Sequence, residues 1–492
     1  MPSYRSQPLQ FLLSLLICSS LLLTACAQAA PPTSPSVRLQ SPLSPTPPPP
    51  ATPTLTPIPP LAPPTSTPAP TSTPTPLDPW ADIDPRGQTI VFWHSQQYDR
   101  AAVLEEIVSE FNTRNPWGIQ ATAISHAGQN DLFFALRAAL NTSAAPDLVY
   151  LFQNQAATLQ RFDGLRDLNS LLLSPQWGLP AAELADIPPA ILAQDVFSNL
   201  DGARLGFPSY RSAEVLYINL DWLKELGYDQ PPQTPQEFTE MACKASQQPF
   251  SRQNGSAQSL GYALTIDASR FAAWTFAFGG ELVAPENDRY AFNSLQAVQA
   301  MQFLQDLVNA GCARVVEQRY ADQDGFARGE ILFTLGTSAG IPFYTRAVEE
   351  NARFKWDVAA PPHLPAEPLL NVYGPSLSIL PSTPEKELAA WLLLKHLSTP
   401  AAQARWAAAS LYLPVHPAAA EFLTETFAEY PPFEGAYQLL ASARFEPNLP
   451  GYEDVRVLVG EALLDIARGA EVETTLNSLN SQADTILQDQ GK

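Results

Sequence analysis

Basic side chains are scarce in this sequence. Its 28 lysines and arginines face 49 aspartates and glutamates across 492 residues, a net charge of −21 at neutral pH. A surface of that sign repels a phosphate backbone, which excludes nucleic acid as a partner. The acidity otherwise serves solubility. Cysteine is also scarce, with Cys18, Cys26, Cys243 and Cys312 the four present. Neither these thiols nor the five histidines fall at spacings that hold a metal ion, so no metal and no cofactor is expected. The apolar run from Phe11 to Leu23 is too short to serve as a permanent transmembrane helix.

What is present is unevenly distributed. Residues 1–26 read as a targeting segment, with Arg5 ahead of the apolar run and Leu23-Thr24-Ala25-Cys26 at its end. That ending resembles the bacterial lipobox, in which the peptide is cut before the cysteine and the thiol is lipidated. Cys26 is therefore expected to anchor the chain to the outer face of the cytoplasmic membrane through its acyl chains. An ordinary signal peptide cut after Ala29 or Ala30 is the alternative. Residues 27–86 follow as a linker. From Pro31 to Leu77 it is built of Pro, Thr, Ser and Ala, with Arg38 its one charge. Such a composition cannot bury a core, and an extended, partly polyproline II spacer is expected. At about 3.1 Å per residue it reaches on the order of 100 Å from the membrane.

The folded part is expected from about Gly87. Gln88–Trp93 reads as a buried strand; Val103, Leu104, Ile107, Val108 and Phe111 then share one helical face, stopped by Asn115-Pro116. A helix around Leu132–Leu140 and the strand Leu148–Phe152 continue the alternation, which predicts a mostly parallel sheet with ligands at its strands' carboxyl ends. Gly206–Trp222 is organised differently. A Gly-Phe-Pro entry leads through polar residues to an apolar strand at Val215–Ile218, and Asn219 or Asp221 caps the next helix. Thr234, Pro235 and Glu237 spell a capping box with proline at the first helical position. Val372–Leu380 repeats the pattern of the earlier stretch: polar, bearing Gly and Pro, then apolar.

The order of these features resembles the extracellular solute-binding proteins of ABC sugar importers, of the maltodextrin-binding type, over roughly residues 87–490. The resemblance is carried by Phe92-Trp93-His94-Ser95, Glu110-Phe111-Asn112, Ala145-Pro146-Asp147-Leu148-Val149 and Gly206-Phe207-Pro208 with Leu216-Tyr217-Ile218-Asn219. Pro232-Gln233-Thr234-Pro235, Gly279-Gly280, Phe326-Ala327-Arg328-Gly329-Glu330 and Tyr412-Leu413-Pro414-Val415 complete it. It implies an α/β fold of two lobes of the periplasmic-binding-protein type (type II), joined by crossing hinge segments and closing on a ligand. Carried over, lobe 1 is residues 87–207 plus 372–425 and lobe 2 is 208–371 plus 426–492. The crossings fall at Pro208–Ser212, near Leu370–Pro375 and near Ala418–Phe433. A carbohydrate ligand, permease subunits with their ATPase and a monomeric state are the implied partners and form.

Sugars are held by aromatic faces against their C–H surfaces and by planar polar groups paired with their hydroxyls. The candidates are Trp93, His94 and Ser95, Gln153 and Asn154, Tyr210, Arg211 and Tyr373, and Trp274, Ser338 and Tyr452. Arg211 has an interlobe ion pair as its other reading, and Trp93 and Trp274 have the core as theirs. Cys243 and Cys312, both in lobe 2 of an exported chain, are expected to form a disulfide. Two rivals remain. Within the binding class, the amides of Gly336–Gly340, with Arg211 or Arg270, suit glycerol 3-phosphate or its diesters. In another class, Gly336-Thr337-Ser338-Ala339-Gly340 has the form of a nucleophile elbow, which makes Ser338 an esterase nucleophile with His363, His396 or His416 as base. No His-Gly-Gly oxyanion segment precedes it, so a non-enzymatic protein is expected.

Overall fold

A computed structural model describes residues 78–255, 258–286 and 288–490. The targeting segment, Cys26 and nearly all of the linker lie outside the described residues. Ordered structure starts before Gly87. Trp80 is buried, its Nε1 donates to Ser170 Oγ at 3.1 Å, and its carbonyl accepts from Trp177 Nε1 at 2.9 Å. Among the described residues the core already includes Trp80, ahead of the linker end expected at residue 86.

Two mixed sheets organise the chain. In the first, the strand order is Gln120–Ser125, Thr89–His94, Leu148–Leu151, Ser376–Ile379, Phe207–Pro208. The first three run parallel, and Ser376–Ile379 runs antiparallel to both of its neighbours, Leu148–Leu151 and Phe207–Pro208. Leu148–Leu151 is buried at every residue, as a strand covered on both faces must be. Helix Tyr98–Arg114 packs on one face through Leu104, Ile107, Val108 and Phe111. Helix Gln129–Ala139 packs on the other through Leu132 and Leu136. The second sheet runs Ala443–Arg444, Leu370–Tyr373, Tyr210–Asn219, Ile331–Thr337, Leu260–Thr265, Ala313–Val316. Trp356–Ala359 and Leu413–Pro414 also pair with Tyr210–Asn219.

The strand Tyr210–Asn219 is the spine of the molecule. All ten of its residues are buried, and Asn219 caps the next helix by accepting from the Trp222 amide. Ser209 alone separates it from Phe207–Pro208, so the chain passes from one sheet to the other in a single step. It returns at Gly374-Pro375, between Leu370–Tyr373 and Ser376–Ile379. That is later than the boundary at 372, because Val372 and Tyr373 still pair with Ala213 and Ser212. The two passages touch: a Cβ at Gly374 would sit 3.0 Å from the Tyr210 carbonyl oxygen and 3.2 Å from Arg211 Cα. Later, helix Pro431–Gln438 packs against Trp356–Ala359, returning the chain to the second half near the third expected crossing.

Capping chemistry sets several element starts. Thr234 and Glu237 form the reciprocal capping box, with Pro235 at the first helical position. Cys243 on that helix is bonded to Cys312, which lies between helix Leu295–Asn309 and strand Ala313–Val316. Ser338 at 0 % exposure accepts from the Ala213 amide at 3.1 Å. His363 and His396 are bonded to the carbonyls of Pro361 and Ile107, and His416 lines a different cavity. An elbow needs an exposed hydroxyl beside its base, and this serine is a buried brace between strands.

Candidate functional site

Three parallel strands of the second sheet, Leu260–Thr265, Ala313–Val316 and Ile331–Thr337, end at one cavity of about 990 Å³. The segments that follow them, Thr265–Arg270, Val316–Gln323 and Gly336–Tyr344, form its wall, which is where an open α/β sheet leaves a crevice. Arg100, from the first turn of helix Tyr98–Arg114, and Tyr412 face it from the other side. A smaller cavity of about 150 Å³ shares Ser269, Tyr373 and Arg456 with it and adds Gln153 and Asn154 from the first half. Together they make a cleft between the two halves, floored by the crossing strand at Tyr373.

Buried ion pairs hold the floor rigid. Glu214, fully buried, pairs with Arg270 and accepts from Tyr373 Oη at 2.7 Å. Burial raises the Glu214 pKa while Arg270 pulls it down. Burial opposes the Arg270 charge, but Glu214 more than compensates and keeps it protonated. A second knot centres on Glu446. It pairs with Arg456 and accepts from Ser269 Oγ at 2.6 Å, Tyr452 Oη at 3.0 Å and Asn371 Nδ2 at 3.0 Å. Arg456 also reaches Asp267 at 3.4 Å. Buried networks of this kind fix planar groups in position before any ligand arrives.

The rim is aromatic and cationic. The Arg100 guanidinium lies 5.1 Å from the Tyr412 ring and 6.0 Å from Phe343, and Arg319 lies 4.7 Å from the exposed Tyr320 ring. Among the described residues neither arginine has a carboxylate at ion-pair distance. Tyr344 donates to Asp322 Oδ2 at 2.9 Å and stacks on Tyr217.

The structure brings Gln153, Asn154, Tyr373 and Tyr452 together at the cleft. Gln153 donates to the Glu446 carbonyl at 3.0 Å and Asn154 to Glu453 Oε2 at 2.8 Å, so both bridge the halves. The other candidates lie elsewhere. Trp274 is fully buried against Phe238 and Phe303, its Nε1 bonded to Tyr262 Oη at 3.0 Å. The aromatic stripe around it is core. Tyr210 is walled in by Tyr150, Trp406 and Tyr412 and accepts from Gln96 Nε2 at 3.0 Å. Arg211 is buried, reaching Asp195 at 3.4 Å, Ser376 Oγ at 2.8 Å and the Pro375 carbonyl at 3.4 Å. It ties one crossing to the other through Pro375 and Ser376. His94 is buried, and burial, then His126, lowers its pKa to about 4. Trp93 packs on His126 at 4.4 Å and Ser95 donates to Gln129; neither lines the cleft cavities. Ser338 is buried behind them, although Thr337, Ala339 and Gly340 line the wall.

Sequence reasoning missed Arg100, Arg319, Tyr320, Asp322, Phe343, Tyr344, Tyr412 and Arg456 as wall residues, and it considered Arg270 only for a phosphate. The first turn of an amphipathic helix and the loop after an unrecognised edge strand carry little signal of their own. The one usable cue was Arg319-Tyr320, an aromatic beside a cation in the polar stretch Glu317–Asp324.

Fold and cleft define a class: a two-lobed α/β protein whose halves, joined by adjacent crossing strands, enclose a polar, aromatic-rimmed cavity. Residues 106–435 match the family model described as bacterial extracellular solute-binding protein, and the chain belongs to that family. It is an extracytoplasmic solute-binding protein. In sequence it is 24% identical over 411 residues to the sn-glycerol-3-phosphate-binding periplasmic protein UgpB of Escherichia coli (strain K12), covering 77% of this chain and 88% of that one. Among solved structures, the cyclic alpha-maltosyl-1,6-maltose binding protein of Arthrobacter globiformis superposes with a TM-score of 0.70 at 19% identity, over 82% of this chain and 99% of that one. UgpB of Mycobacterium tuberculosis, in complex with glycerophosphocholine, gives 0.68 at 22% identity over 82% and 99%. These structures share the two-lobed fold. Among the described residues no helix is long and apolar enough to cross a membrane.

Proposed function

We propose that the protein captures a carbohydrate in this cleft by hinge closure and passes it to an ABC importer, a permease with its ATPase. The observation that carries this reading is the cleft wall itself. Tyr320, Phe343, Tyr344, Tyr373 and Tyr412 supply ring faces, and Arg270, Arg456, Asp267 and Asp322 supply planar groups of both signs. Rings pack on the C–H faces of a sugar, and fixed planar groups pair with its hydroxyls. The match to the solute-binding family and to binding-protein relatives supports a binding protein rather than an enzyme.

A second reading is favoured by Arg100 and Arg319, cations at the rim without a carboxylate partner among the described residues. They suit the phosphate of glycerol 3-phosphate or of a diester such as glycerophosphocholine, and named relatives bind such compounds. Titration calorimetry with maltotriose, glycerol 3-phosphate and glycerophosphocholine separates the two. Heat with maltotriose alone is expected. Saturable binding of a phosphate compound alone, lost in Arg319→Ala, transfers the assignment to the second reading, and binding of none of the three ends the carbohydrate assignment.

In the same reading the monomeric protein is tethered through lipidated Cys26, with the proline-rich linker as its spacer. Partition into the detergent phase, lost in Cys26→Ala, is expected. Equal partition of the two proteins overturns the anchor without touching the cleft.

A further inference from the structure

Four arginines line the larger cleft cavity, and they are not equivalent. Arg270 is matched by Glu214, and Arg456 by Glu446 and Asp267. The wall's remaining carboxylates are engaged too. Glu317 pairs with Arg468 at 2.6 Å, and Asp322 accepts from the Thr334 and Tyr344 hydroxyls at 3.3 and 2.9 Å. Arg100 and Arg319 are left, among the described residues, with no carboxylate at ion-pair distance. They come from different halves: Arg100 from helix Tyr98–Arg114, Arg319 from the loop after strand Ala313–Val316. Arg100 is half-buried and Arg319 exposed. A cation drawn out of water gains most from a counter-ion that arrives with the ligand.

Rings stand beside both cations. Arg100 Nη2 donates to the Ser410 carbonyl at 2.8 Å, which holds the guanidinium 5.1 Å from the Tyr412 ring and 6.0 Å from Phe343. Arg319 lies 4.7 Å from the Tyr320 ring. Tyr320 is 57 % exposed and Phe343 54 %, a large aromatic surface on the wall of one cavity. A neutral sugar uses the rings and leaves the two cations unmatched. Glycerol 3-phosphate uses a cation and leaves the rings bare. A pyranose that carries a carboxylate on its ring uses both. Its C–H face packs on an aromatic side chain while its carboxylate accepts paired N–H bonds from a guanidinium. The cavity of about 990 Å³ lies at the upper end of the range for ligand sites, so several such rings fit.

We propose that the carbohydrate is acidic, an oligosaccharide of uronate units whose carboxylates are held by Arg100 from one half and Arg319 from the other. This rests on the carbohydrate reading of the cleft and narrows it. The test titrates the protein by calorimetry with maltotriose and with maltotriose oxidised to the carboxylate at C6 of each ring. The two sugars share linkage and ring stereochemistry and differ in charge. The carboxylated sugar is expected to bind about tenfold or more tightly, an advantage that shrinks as salt is added. Arg100→Gln and Arg319→Gln are each expected to bring the ratio of the two affinities towards one, whatever they do to the neutral sugar. The salt series needs no variant and carries the test if Arg100→Gln does not fold. Equal affinity for the two sugars overturns the proposal and leaves the carbohydrate reading standing. A ratio unchanged by salt, or unchanged in either variant, does the same. Binding of neither sugar overturns both.

Discussion

Arg211 is a cation with no exposure to water, its two terminal nitrogens donating to Asp195, Ser376 and two backbone carbonyls. Removing one partner of a buried pair leaves the other charge stranded, at a cost of about 3–5 kcal/mol. Arg211→Ala is therefore expected to lower stability by that amount in urea unfolding; a loss below about 1 kcal/mol would return the residue to a ligand-binding role. His94 makes a second, pH-dependent case. Its folded pKa of about 4 lies below the unfolded value of 6.5, so the unfolded chain binds the proton first as pH falls. Stability is full above about pH 6.5 and declines towards pH 4, by up to about 3 kcal/mol from this group. His94→Gln is expected to flatten that part of the stability profile. An unaltered slope shows that the loss arises elsewhere.

Among the elements, the disulfide has the clearest energetic role. It joins helix Pro235–Gln247 to the residue just before strand Ala313–Val316, across 69 positions of chain. Closing a loop of that length restricts the unfolded chain, a stabilisation of about 2–4 kcal/mol. The paired substitution Cys243→Ser with Cys312→Ser is expected to lower the unfolding midpoint accordingly. The bond also steadies the strand that delivers Arg319 and Tyr320 to the cleft, so its loss is expected to weaken ligand binding more than a remote change of equal stability cost. Binding that falls no further than stability predicts limits the bond to the lobe core. Most elements were legible beforehand: the capping box at Thr234 and the one-sided face of Val103–Phe111 carry their own local signals. Gln120–Ser125, Ala313–Val316 and Trp356–Ala359 did not. They are short edge or flanking strands, specified by a partner strand rather than by their own apolar pattern.

At the scale of the whole molecule, adjacent crossings at Ser209 and Gly374-Pro375 leave the two halves joined by few chain passages, the arrangement from which hinge closure arises. Direct bonds such as Asn154 to Glu453 already span one end of the cleft, while the wider cavity lies open beside them. Small-angle scattering is expected to show a smaller radius of gyration at saturating ligand. An unchanged radius points to a preformed site. Several properties followed from the sequence alone: the acidic surface, the expected export segment and spacer, the alternation of strand and helix, the two stretches that cross between sheets, and the cysteine pair. All but the cysteine pair are set by composition or by neighbours a few residues apart, and that pair by the scarcity of cysteine in the folded part. Which side chains face the cleft was decided only by the tertiary structure. Tyr210, Arg211 and Trp274 are aromatic or charged residues at plausible positions, yet they are enclosed by Trp406, Ser376 and Phe303, residues distant in sequence. Arg100 and Arg456 lie 356 positions apart in the chain and meet at one cavity. Burial is a property of partners brought together by folding, and a local pattern does not contain them.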